Sequence, residues 1–259
     1  MSSALGGDGD HRRGGSTTGT LPGGLAAAFE RGGEMGARLR DLDWAATGLG
    51  APGSWPVTLR QAITMMLASG SQTVLFWGEH HLAFYNDAYL PTIGTKHPYA
   101  IGQPARRHWA ELWHVLEPLF TGVRRTGRSF RATDHPFLLE RHGFLEETYF
   151  EISYDPVWGE DGSVEGVYCV VNETTGRVLG ERRLRLLTEL ATRLTDLDNW
   201  SELARRATEV LDTHRADVPF ALLYLRPDES SDPVLAGCGG VPRAVVSASP
   251  DAVGLPEPL

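Results

Sequence analysis

The sequence predicts an α+β fold: a five-stranded antiparallel sheet with helices on one face. Three observations carry this. The runs TVLFW (73–77) and LAFY (82–85) are β-branched and aromatic, and the turn residues between them make a hairpin. Trp109, Leu112, Trp113, Leu116, Leu119 and Phe120 then recur at helical spacing. Finally, ETYFEISYDPV (147–157) alternates, with Thr148, Phe150, Ile152 and Tyr154 on one face and Tyr149, Glu151 and Ser153 on the other.

Taken in order, residues 1–33 are rich in Gly, Ser and Thr, with one short apolar patch, LAAAF. They are expected to form a disordered leader, because so little apolar surface does not offset ordering entropy. Order is expected from about GEMGARLRDLDW, and residues 34–175 make the α+β module. GSWPVTLRQAITMMLAS reads as a helix, with Ser54 as N-cap, Pro56 in the first turn, and Leu59, Ile63, Met66 and Leu67 on one face. After the hairpin, NDAYLPTIG is a short helical turn closed near Gly94. The Trp-rich helix follows and stops at Gly127. SFRATDHPFLLE is a strand whose Pro136 suits an edge or a bend. WGEDGS is a strong turn between the alternating strand and the returning VEGVYCVVNET.

Past residue 175 the period becomes helical. Leu187, Leu190, Leu194 and Leu197 are spaced 3, 4, 3 among Glu and Arg, a heptad-like seam for a linker helix at 176–198 that pairs in a dimer. The alternative is an ordinary amphipathic helix packed on its own domain. Residues 199–259 hold a further amphipathic helix and two strands, which do not close a sheet, so an incomplete α/β segment is expected there. The tail from Pro242 shows no periodicity.

The chain has 259 residues and a net charge of −9, which argues against nucleic-acid binding through phosphate neutralisation. Neither a signal-peptide core nor an apolar run of bilayer length is present. Cys169 and Cys238 are far apart and match no metal spacing, which suits a reduced cytoplasmic protein without membrane insertion.

Asn86 and Asp87 invite a catalytic reading, yet Asn does not titrate and no His or Ser stands at triad spacing. Asx residues at a strand-to-helix junction cap the new helix, so both are read as structural, with Gly94. His80 and His81 are expected in an exposed turn, and Cys169 as a small core residue. Glu146 and Glu147 read as a solvated strand entry, and Lys96, Arg106 and Arg107 as solvated charges. Trp77, Tyr85, Tyr89, Trp109, Trp113, Phe150, Ile152 and Tyr154 are candidates for lining a cavity between sheet and helices, with a plain hydrophobic core as the alternative.

The stretches WGEHHLAFYNDAY…G and ETYFEISYDPVWGEDGSVEGVYCVVNETTGRV resemble a PAS sensory domain. In that family a hairpin ends in an Asn–x–Ala turn into a short helix, matched by Asn86, Ala88 and Gly94, and a three-stranded meander closes the sheet. The resemblance covers residues 35–180. The linker and the segments DVPFALLYL and DPVLAGCGGV resemble the start of a GAF domain, which in such multidomain bacterial sensors leads to a histidine kinase or a serine phosphatase. It therefore implies a non-catalytic sensory and dimerisation module, a homodimer through sheet and linker helix, and a small-molecule ligand or none. The output enzyme would lie outside these residues, and a ligand-free interaction module is a further alternative. The cofactor stays open. The region 91–109 lacks the Cys of flavin-adduct relatives, and His114 is the one analogue of a haem-ligating helix His.

Overall fold

The computed structural model describes residues 21–242 apart from Asp196, Pro227 and Glu229. Residues 1–20 of the expected leader and 243–259 of the aperiodic tail lie outside the described residues. Two compact units divide the chain, Met1–Thr175 and Gly176–Leu259.

The first unit opens with α1 (Gly23–Arg31) and α2 (Gly33–Asp41). Helix α1 corrects the expectation that order begins only near residue 33. In LAAAF the two large residues stand four apart, so Leu25 and Phe29 share one helix face, and both are buried in the core. Helix α3 (Val57–Ala68) buries Leu59, Ile63 and Met66. Pro56, not Ser54, stands at its N-cap, and the Ser54 hydroxyl instead donates to Ala51 O (2.8 Å) within a short 3₁₀ turn.

Strands β1 (Gln72–Trp77) and β2 (Leu82–Tyr85) form the hairpin. Short helices α4 (Leu90–Ile93) and α5 (Ala105–His108) follow, and α6 (Trp113–Thr126) ends at Gly127 in left-handed conformation. The expected single Trp-rich helix is therefore broken around Trp109, whose φ of −119° leaves the helical region. Strands β3 (Phe130–Glu140), β4 (Leu145–Trp158) and β5 (Val164–Glu173) complete one antiparallel sheet in the order β2-β1-β5-β4-β3. The hairpin and the meander are both present. Pro136 lies on the edge strand β3, beside an irregularity between Ala132 and His135 where Asp134 has φ 51°.

Helices cover both faces of the sheet at its β2–β1 side, which corrects the one-face expectation. Cross-strand partners share a face, so the pairs Leu75↔Phe84 and Trp77↔Leu82 stand opposite Val74↔Tyr85 and Phe76↔Ala83. Phe84 stacks on Trp44 and meets Trp55 edge-on, both from the N-terminal segment. On β4 the outward residues Tyr149, Glu151 and Ser153 remain half-buried or exposed.

The second unit contains α7 (Thr175–Leu194, its first residue in the first unit), α8 (Trp200–Thr213) and the hairpin β6 (Ala221–Leu225)–β7 (Val234–Gly239). Asn199 caps α8, accepting from Ser201 N and Glu202 N. Arg182 of α7 makes a bidentate pair with Asp217 (2.6 and 2.9 Å), and Glu189 meets His214 (3.1 Å). The expected leucine seam is redrawn here. Leu186 is the buried leucine of α7, Leu187 is 62% exposed, Leu190 and Leu194 are half-buried, and Leu197 lies beyond the helix end. The helix ends at Leu194, short of 198, and Asn199 opens α8 as its N-cap. No helix among the described residues is long and apolar enough to cross a membrane.

Candidate functional site

Asn86, directly after β2, is fully enclosed, at 2% exposure. Its Oδ1 accepts from Thr73 N (3.1 Å), and its Nδ2 donates to Ser71 O (2.8 Å), Ser69 O (2.9 Å) and, more weakly, Met66 O (3.2 Å). The side chain thus stitches the end of α3 to the start of β1. It does not cap the helical turn that follows it, which corrects the capping expectation. Asp87 is a cap, but of a distant helix: its Oδ2 accepts from Glu34 N (2.9 Å) and its Oδ1 from Met35 N (2.8 Å). A carboxylate at those orphan donors also meets the positive end of the α2 dipole. Gly33 has φ +65°, and a Cβ there would stand 2.0 Å from Asp87 Oδ2. Gly94 has φ +56°, and a Cβ would stand 2.3 Å from Arg141 O, the acceptor of Thr95 N (3.0 Å).

Between the sheet and α4–α6 lies a cavity of about 40 Å³. Of the candidate lining residues, Tyr89, Trp109, Phe150, Ile152 and Tyr154 surround it, whereas Trp77, Tyr85 and Trp113 do not. Trp77 is excluded by strand alternation, since Val74 and Phe76 hold the cavity face of β1. Tyr85 has the correct face, but its hydroxyl meets His97 Nδ1 (3.0 Å). Trp113 turns toward His81 and Phe120, while Leu112 and Leu116 line the cavity from that side. The lining residues the sequence did not single out are Val74, Phe76, Thr92, Leu112, Leu116, Phe137, Leu139 and Val171. Phe137 and Leu139, flanking the exposed Leu138, carried the alternating signal that would have added β3.

The lining is apolar apart from two phenols and Thr92, whose hydroxyl donates to Gln72 Oε1 (2.7 Å). Burial raises both phenols, Tyr89 and Tyr154, well above the ordinary tyrosine range, so neither ionises near neutrality. Cys169 is fully buried, and burial likewise pushes its thiol up. The free space holds a few waters or a ligand of a few heavy atoms, against roughly 300–1,000 Å³ for an ordinary cofactor pocket. Haem ligation by His114 does not fit, because His114 is exposed on the outer side of α6. Among the described residues no group of three or more His, Cys, Asp or Glu could hold a metal ion.

His81 also departs from expectation. Its ring stacks on Phe120 (5.4 Å) and meets Trp113 edge-on, and burial is the main cause that lowers its pKa. Its Nε2 and Trp113 Nε1 are buried without a hydrogen-bond partner among the described residues. The charges at the rim are paired. Lys96 and Glu111 form a largely buried ion pair. Glu146 binds Arg141 and His142, and Glu147 accepts from Tyr149 Oη (2.7 Å). Arg141 also holds Glu173 by two bonds (2.7 and 2.9 Å), and this guanidinium keeps the Glu173 carboxyl below the usual carboxylate range.

No family model matches the chain. Solved structures similar to it include the PAS domain of Bordetella pertussis BvgS, 20% identical over 48% of this chain and 92% of that one, with a TM-score of 0.36. A PAS domain from Colwellia psychrerythraea is 16% identical over 46% of this chain and 98% of its own, at a TM-score of 0.36. The LOV protein of Rhodobacter sphaeroides is 14% identical over 61% and 89%, at a TM-score of 0.37.

Proposed function

We propose that residues 34–175 are the PAS-type sensory part of a signal-transduction protein and act without catalysis. The observation that carries this reading is the path from cavity to exit. Val171 lines the cavity on β5, and the same strand runs into α7 at Thr175. That junction is pinned to β4 by Thr174 N to Tyr149 O (2.8 Å) and by Tyr149 N to Thr175 Oγ1 (2.9 Å). Thr174 Oγ1 also donates to Asp134 Oδ1 at the β3 irregularity (2.7 Å). A change in cavity packing therefore reaches the start of α7 through a short, hydrogen-bonded stretch.

Helix α7 is the relay and pairs with α7 of a second copy, a reading supported by Leu184 and Leu187, 64% and 62% exposed on a helix otherwise rich in charge. Residues 199–242 are read as the beginning of a GAF-like domain. Native mass spectrometry and absorbance of the purified chain test the sensory reading. A retained molecule of a few heavy atoms supports it, and bound haem or flavin contradicts the cavity as described. Sedimentation of Leu184→Glu/Leu187→Glu tests the pairing: monomers are expected where wild type dimerises, and an unchanged mass overturns it.

A further inference from the structure

Resting on the sensory reading of the cavity, we propose that its ligand is a neutral carbonyl compound of about four heavy atoms, bound through the Tyr154 hydroxyl. The size follows from the space. A water-sized probe takes roughly 10–15 Å³, so a cavity of about 40 Å³ holds about three such bodies.

The polar atoms of the wall fix what the ligand must carry. Strand alternation puts Tyr154 with Phe150 and Ile152 on the cavity face of β4, and the residue is only 4% exposed. Its hydroxyl has no hydrogen-bond partner among the described residues. Cys169, its cross-strand neighbour on β5, offers a sulfur, which accepts only weakly. Burial holds the phenol in its protonated form, so the O–H is a donor, and a buried donor without an acceptor is costly. The Tyr89 oxygen accepts from the Trp109 indole N–H, and the Thr92 hydroxyl gives its hydrogen to Gln72 Oε1 (2.7 Å). What is unmet at Tyr154 is an acceptor. A ketone or aldehyde oxygen supplies one and brings no hydrogen that needs a partner of its own.

Charge is excluded by the same wall. Among the described residues no charged side chain lines the cavity, so a carboxylate or an ammonium group would enter without a counter-ion. Lys96 and Glu111 at the rim are paired with each other. The aliphatic and aromatic remainder of the lining suits the short alkyl body of the ligand.

Acetone, acetate and xenon test this on the full chain. Acetone and acetate have the same size and planar shape but differ in charge at neutral pH, and xenon fills apolar space without a hydrogen bond. Xenon-129 NMR should find xenon in the cavity. Acetone should displace it at roughly millimolar concentration, the range open to so small a ligand, and acetate at the same concentration should not. Tyr154→Phe should weaken acetone about threefold to tenfold, the worth of one hydrogen bond, and change xenon affinity by less than about twofold. Xenon that acetone does not displace, or that acetate displaces equally, overturns the ligand class and leaves the sensory cavity standing. Acetone affinity unchanged in Tyr154→Phe does the same. If Tyr154→Phe does not fold, the choice of acetone over acetate in the wild type decides. No xenon binding at all overturns the cavity reading, and the ligand with it.

Discussion

Asn86→Ala is the substitution whose cost follows most directly from the structure. It orphans the buried Thr73 N–H and takes the donor from the carbonyls of Ser69 and Ser71. A buried group left unsatisfied costs about 1–3 kcal/mol; Ser71 O keeps the Thr73 hydroxyl (3.0 Å), so two groups of one short segment lose their partner and the total should be about 3 kcal/mol. For a unit of this size one kcal/mol moves Tm by about 2–4 °C, which gives a fall of roughly 6–12 °C. Tryptophan fluorescence is the suitable probe, because every tryptophan except Trp200 lies in the first unit. Asn86→Asp keeps the acceptor for Thr73 but turns an oxygen toward three carbonyls, and it should be at least as destabilising at neutral pH. A fall of less than about 2 °C for Asn86→Ala, under 1 kcal/mol on the same scale, would refute the view of Asn86 as the stitch between α3 and β1.

Asp87→Ala should lower stability by about 1–2 kcal/mol through loss of the α2 cap, measured by urea unfolding. Gly33→Ala should cost a similar ~1–3 kcal/mol from its left-handed backbone, and combining it with Asp87→Ala should be less than additive, since the clash disappears. Arg141 lowers the Glu173 carboxyl, so this pair stabilises the fold above the ordinary carboxylate range and loses that effect as pH falls through the lowered folded value. Arg141→Met should flatten the corresponding part of the stability–pH curve below about pH 5, followed by thermal melts. A thiol reagent at pH 8 should label the half-exposed Cys238 in the native chain and reach Cys169 only on unfolding.

Strand identity was legible because the pleat writes itself into sequence: Thr148, Phe150, Ile152 and Tyr154 alternate and are all buried. TVLFW was legible in a second way that the one-face expectation overlooked. Its apolar run does not alternate, the pattern of a strand covered on both sides, and β1 is buried from Thr73 to Trp77. Helix α1 was hidden by composition, because two well-spaced residues, Leu25 and Phe29, anchor an otherwise small-residue segment through tertiary packing. Asn86 and Asp87 were recognised as structural, but their partners were not, since Asp87 meets amides more than fifty positions away in a contact that only the folded chain creates. Around α6 the cavity is lined by Leu112, in the 3₁₀ turn before the helix, and by Leu116, whereas Trp113 turns to His81 and Phe120; an apolar stripe wider than the cavity does not tell in sequence which of its residues face it.

In the proposed function, packing in the cavity is felt at the start of α7. Leu116→Phe places extra volume into the cavity from α6, and hydrogen exchange along residues 175–194 reads the outcome. Altered protection is expected from the Thr174–Thr175 junction onward, with the sheet still protected. Exchange in α7 identical to wild type, with changes confined to residues touching the cavity, would contradict it.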